Sequence, residues 1–150
     1  MRIANNFSLM RTLVRLGLVA LAVLLAGCGS KVALAPDADP QNLPALGGDY
    51  LVNGRDPYDQ GKYGGRMVIE PGPEPGTYRL TWLIREAFLQ GEGRLEGNQL
   101  VVTWRTAPGS ARPMRGTARY TITQAGQLYG QRWIEGLEQP VYEEIIPDTR

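Results

Sequence analysis

The stretch Leu89-Gln-Gly-Glu-Gly-Arg-Leu-Glu-Gly-Asn-Gln-Leu-Val-Val-Thr-Trp104 decides how this chain folds. Its first half sets Leu89, Gly91, Gly93 and Leu95 on one parity and Gln90, Glu92, Arg94 and Glu96 on the other. Successive side chains of a strand point to opposite faces, so this is a half-buried strand with one apolar and one charged side. Gly97-Asn98 follows, and both residue types tolerate positive φ, which predicts a tight hairpin. Leu100, Val102 and Trp104 then resume the period of two.

The same period runs outward in both directions. Upstream, Tyr50, Val52 and Gly54 share a parity, as do Tyr63, Gly65, Met67 and Ile69, and then Tyr78, Leu80, Trp82 and Ile84. Turn-rich segments at Asn53–Gly61 and Pro71–Gly76 separate them, and the prolines of the second cannot donate to a ladder. Downstream, Arg105–Arg115 reads as a Pro/Gly/Arg loop, followed by strands around Gly116–Ile122, Leu128–Ile134 and Pro140–Ile146. About eight consecutive strands with short connections predict an all-β fold, an antiparallel up-and-down meander closed into a barrel over residues 48–150. Closure removes exposed sheet edges, and an eight-stranded interior is either filled by side chains or holds one small ligand. A β-sandwich is the alternative architecture.

Ahead of this domain lies a different kind of sequence. Arg2, Arg11 and Arg15 precede an apolar run from Leu16 to Ala26. At about 11 residues the run is well short of the ~20 that span a bilayer and suits an export-signal core. Leu25-Ala-Gly-Cys28 matches the lipobox, in which the cysteine sulfur takes a diacylglyceryl group. Residues 1–27 are therefore expected to be a lipoprotein signal peptide, with Cys28 the lipidated residue. Two acyl chains make a stable anchor where one is marginal. Gly29 and Ser30 follow rather than the aspartate seen in inner-membrane lipoproteins, which favours the outer membrane, facing the periplasm. Residues 28–47 contain three prolines and read as the lipidated N-terminus and a linker; a segment such as Val32–Leu34 is able to dock on the domain, so the whole stretch need not be mobile.

Composition narrows the chemistry. Three of the 16 basic residues lie in the signal, leaving 13 against 15 acidic side chains, so no basic face for nucleic acid is expected. Cys28 is the only cysteine and histidine is absent. Disulfides, thiol nucleophiles, His-based triads and His-containing zinc sites are thereby excluded from the mature chain. Neither a cofactor nor a metal is expected, and the domain reads as non-enzymatic.

The spacings Gly48-x-Tyr50-x-Val52-x-Gly54, Tyr63-x-Gly65, Tyr78-x-Leu80-x-Trp82, Gly91-x-Gly93, Leu100-x-Val102-x-Trp104 and Gly126-x-Leu128-x-Gly130 resemble those of small exported bacterial proteins labelled fibronectin-binding protein-like. Most of those have no known function. The family pattern would put Trp two residues after Gly130; here Arg132 stands there and Trp133 follows, which implies a bulge or a Trp turned to the other face. The domain is also broadly similar to avidin-like and lipocalin-like (calycin) barrels, a resemblance that implies a ligand cavity.

Three sets of residues are candidates for function. Trp82, Trp104 and Trp133, with Tyr50, Tyr63 and Tyr120, either floor a pocket for a small apolar ligand or form the core. Arg105, Arg112 and Arg115 either recognise an anionic group on a partner or are a solvated loop. Glu143 and Glu144 are adjacent on a strand and so face opposite ways, which excludes a shared-proton pair. Glu143 is free to point into the barrel beside an arginine, where an ion pair would set the register. The expected activity is that of an envelope lipoprotein binding a small apolar ligand in the barrel or a protein partner on its loops. A structural, inhibitory or adhesin-like protein interaction is the alternative.

Overall fold

The alternating segments form eight strands, β1 (Gly48–Arg55), β2 (Lys62–Pro71), β3 (Thr77–Ile84), β4 (Ala87–Glu96), β5 (Gln99–Thr106), β6 (Arg115–Ile122), β7 (Leu128–Ile134) and β8 (Val141–Pro147). The computed structural model describes residues 32–59, 61–85 and 87–150; the signal segment and Cys28 lie outside them. Each strand pairs antiparallel with the next, and β1 pairs with β8 from Tyr50↔Pro147 to Arg55↔Tyr142, closing the barrel. That last ladder is what separates this fold from the alternative sandwich.

Local chemistry explains the turns. The β4–β5 hairpin pairs Glu96 with Gln99, and of its two central residues only Gly97 takes a positive φ, 61°. Positive φ at the first central position alone is the type II′ pattern. The β3–β4 turn instead puts Arg85 in the left-handed region, at φ 53°. Its side chain bonds Asp59 at 2.9 Å and lies over the Tyr63 ring.

The interior is filled by aromatic rings laid across glycines on the neighbouring strand. Gly54 pairs with Tyr63 and Gly116 with Trp104, and the Trp82 ring lies against Gly91. A Cβ at Gly54 would enter the Tyr63 ring, and one at Gly116 would meet the Trp133 carbonyl and the Trp104 ring. The missing side chains thus let strands coil tightly while the rings refill the space. Trp82, Leu100, Tyr120, Ile122, Leu128 and Ile145 are 0 % exposed. A void large enough for one water would leave measurable exposed surface on such walls, so the barrel centre is packed, as eight strands permit.

Part of residues 28–47 docks on the barrel, as the sequence left open, and the compact unit begins at Leu34. Leu34–Gly47 forms a strap over the barrel end that carries the β6–β7 turn. Asp37 bridges Thr123, Ala38 N–H donates to the Ile122 carbonyl at 2.9 Å, and Gln124 N–H donates to the Pro36 carbonyl at 2.8 Å. Ala38 and Leu46 bury their side chains there, whereas Val32, at the start of the expected docking segment, is exposed. Apolar residues sparse in sequence suffice to dock a strap once three backbone groups are paired. The expected Arg105–Arg115 loop is shorter, since β5 runs on to Thr106 and β6 starts at Arg115. Thr106 N–H donates to the Met114 carbonyl at 2.8 Å, and Met114 N–H returns to Thr106 Oγ1 at 3.0 Å. This extends the ladder past the point where Pro and Gly suggested a break.

Candidate functional site

β7 and β8 carry polar residues on inward positions. Parity along β7 turns Leu128, Gly130 and Arg132 into the barrel, and along β8 it turns Val141, Glu143 and Ile145 inward. Gly130 lies opposite Glu143 in the ladder, and a Cβ there would meet the backbone of Arg119 and Tyr120 on β6. Glu143 is 0 % exposed and Arg132 5 %. Arg132 Nε donates to Glu143 Oε1 at 3.0 Å, and its Nη2 donates to the Tyr63 hydroxyl at 3.2 Å. Tyr63 in turn donates to Oε1 at 2.6 Å, and Tyr120 donates to Oε2 at 2.5 Å. The guanidinium also lies over the Trp104 ring, 4.9 Å from its centroid.

Burial and the Glu143 charge together push the Tyr63 and Tyr120 hydroxyls well above the ordinary tyrosine range. Burial works against the Arg132 charge, but Glu143 and the two tyrosines outweigh it, and the guanidinium is held above its usual value. The carboxylate accepts on both oxygens and its partners donate to it, so the cluster is internally satisfied. Its chemistry is that of a buried ion pair tying β2, β6, β7 and β8 in register. Glu143, which strand parity set opposite to Glu144 without fixing which of the two faces inward, does face an arginine inside the barrel. Sequence alone did not show which arginine. The available signal was the Arg132-Trp133 order, where an aromatic was expected inside.

The six aromatic candidates separate. Tyr50, Tyr63, Trp82, Trp104 and Tyr120 belong to the interior packing. Tyr50 OH donates to the Leu46 carbonyl at 2.8 Å, and burial, helped by Tyr78, pushes its hydroxyl up to about 12. Trp104 Nε1 donates to the Thr117 carbonyl at 3.2 Å, whereas Trp82 Nε1 is buried without a partner. Trp133 does not join them. The β6–β7 ladder runs without a bulge, from Gly116↔Ile134 to Ile122↔Leu128, so the residue after inward Arg132 must point outward.

Outside the barrel Trp133 borders an open groove of about 1180 Å³ across β2 to β7. Thr81, Thr103 and Thr117 form its low floor. Matched register brings Gln90, Arg105 and Arg115 into one row and Glu92, Thr103, Thr117 and Trp133 into the next. The groove therefore unites Trp133 with Arg105 and Arg115, which the sequence had placed in separate candidate sites. Arg112 does not line it and stands exposed on the loop. Arg115 is bonded to Glu135 through both its Nε and its Nη2. Six charged residues line the groove, Glu70, Glu92 and Glu135 against Arg79, Arg105 and Arg115, so its formal charge balances. Among the described residues no group of three or more His, Cys, Asp or Glu is placed to hold a metal ion.

The fold and the site together define a packed eight-stranded up-and-down barrel with a buried Arg–Glu–Tyr cluster and an outer-face groove. In comparison with known proteins, no family model, curated protein or solved structure matches this chain.

Proposed function

We propose that this protein is a lipid-anchored module of the bacterial cell envelope that binds through the outer face of its barrel and performs no catalysis. The anchor rests on the lipobox at Cys28, and lodging in the outer membrane on the residues after it. One observation carries the choice of surface: the described interior side chains are fully buried with no void against them, while Trp133 is turned outward onto an open groove. Of the two ligand modes open from sequence, a small apolar ligand inside the barrel would have to displace packed rings. A tryptophan on an open groove costs burial that an inward position would recover, and a ligand offsets that cost.

A photo-crosslinking residue placed at Thr103, in the groove floor, should yield adducts on the full-length protein in bacterial membranes. The same residue at Asn53, facing outward on β1, should yield none, and Trp133→Ala should weaken the Thr103 adduct. Equal labelling from the two positions, or none from either, would overturn the groove as the binding surface. Cys28→Ser should move the folded protein from the membrane fraction to the soluble one; continued pelleting would refute the anchor.

A further inference from the structure

The groove's chemistry narrows what it holds. Its lining runs along the curved sheet from Glu70 on β2 to Trp133 on β7, five inter-strand steps at about 4.8 Å each, roughly 24 Å in all. That is the length of an extended ligand rather than of a single small ring. Its floor is threonine, and its main apolar elements are the exposed Leu137 and the half-buried Trp133. A protein interface is usually organised around an apolar core of several anchors, which is missing here. Balanced charge gives no field to attract a nucleic acid or a strongly charged peptide.

What the groove offers instead is planar polar groups with unused capacity. Arg79 lies in register with Glu70 and with Glu92, yet it forms no ion pair or hydrogen bond with either. Among the described residues Arg105, Gln90 and Glu92 are likewise without side-chain partners. Guanidinium, carboxylate and amide groups present paired donors or acceptors at the spacing of vicinal hydroxyls, and an indole face packs on the apolar C–H side of a sugar ring. Both kinds of surface occur here, on one rigid sheet face and on opposite sides of a low polar floor.

We infer that this groove binds a neutral oligosaccharide of several sugar units, with Trp133 stacking on one ring and Arg79, Glu92 and Arg105 bonding its hydroxyls. The inference rests on the groove being the binding surface, as proposed above. It fixes the ligand class and leaves the anchor unaffected.

The test uses the detergent-solubilised full-length protein, screened on an array of α- and β-linked oligosaccharides. Titration with chitotetraose, cellotetraose and maltotetraose, read by tryptophan emission, then gives the affinities. Trp82 and Trp104 lie in the barrel, so a saturable shift reports Trp133. At least one tetrasaccharide should bind tenfold or more tightly than its monosaccharide. Trp133→Ala should abolish the emission response and the array signal, Trp133→Tyr should retain part of the latter, and Thr103→Arg should block the groove. Both side chains lie outside the core, and an unchanged melting temperature would verify that each of the three variants is folded. No array signal for any oligosaccharide, or a signal that survives both Trp133→Ala and Thr103→Arg, overturns the inference. If sugars fail while Thr103 still crosslinks to another molecule, the groove stands and the sugar falls; if both fail, both readings fall.

Discussion

Breaking the Arg132–Glu143 pair from either side should have unequal effects, and the inequality follows from the hydrogen bonds. Removing one partner of a buried ion pair costs about 3–5 kcal/mol, because the other charge remains in a poor solvent. In Arg132→Met the carboxylate still accepts from Tyr63 and Tyr120, so the loss should fall at the low end, about 3 kcal/mol. In Glu143→Leu the guanidinium is stranded and both hydroxyls lose their acceptor. An orphaned buried polar group costs about 1–3 kcal/mol, so this loss should exceed 5 kcal/mol. That is comparable with the whole stability of a small domain. The double variant strands no charge, and it should be more stable than Glu143→Leu alone by about 2 kcal/mol or more. Equilibrium urea unfolding of the four proteins, followed by tryptophan emission, measures the cycle. Two outcomes would refute a coupled buried pair: a loss below about 1 kcal/mol for Arg132→Met, or a double variant that merely sums the two single losses.

Two further expectations concern the barrel. The Tyr50 hydroxyl titrates near 10 in the unfolded chain and at about 12 when folded, so its contribution is complete below pH 10 and is lost as pH rises through 12. Two pKa units correspond to about 2.7 kcal/mol, and Tyr63 and Tyr120 are shifted the same way. The urea midpoint should therefore fall steeply above pH 10, less so in Tyr50→Phe; a level profile from pH 9 to 12 would contradict this. Leu46→Ala, in the strap, should cost about 2–5 kcal/mol as a buried leucine does, and hydrogen exchange should speed up at Ala38 and Gln124 before the barrel ladders. If only fractions of a kcal/mol were lost, the strap would be an ornament on a self-sufficient barrel.

Much of the architecture was readable because strand parity is a local property. The alternation in Leu89–Trp104 sets which side chains share a face whatever the partner strand, and turn glycines mark where the chain reverses. The same rule set Glu143 and Glu144 on opposite faces, and the closed barrel decided that Glu143 is the inward one. Parity also bears on the Arg132-Trp133 step: without a bulge, an inward Arg132 requires an outward Trp133. Whether a bulge intervenes depends on the β6 partner, which lies outside the local pattern.

Other features depend on which distant residues meet. Tyr63 reaches Glu143 across 80 positions of sequence, and the strap's Asp37 bonds Tyr129 across 92. Such contacts follow from barrel closure and stagger, which no single hairpin specifies. The strap looked like linker because prolines and two or three buried apolar residues carry no period. The sequence by itself determined eight alternating strands, their order, the opposite facing of Glu143 and Glu144, and a lone cysteine in a lipobox. Only the tertiary structure decided that the aromatic rings fill the barrel, that Arg132 is the partner of Glu143, and that Trp133, Arg105 and Arg115 line one outer groove. Parity belongs to each strand alone, whereas neighbours across a sheet are set by the register of every ladder around the closed ring.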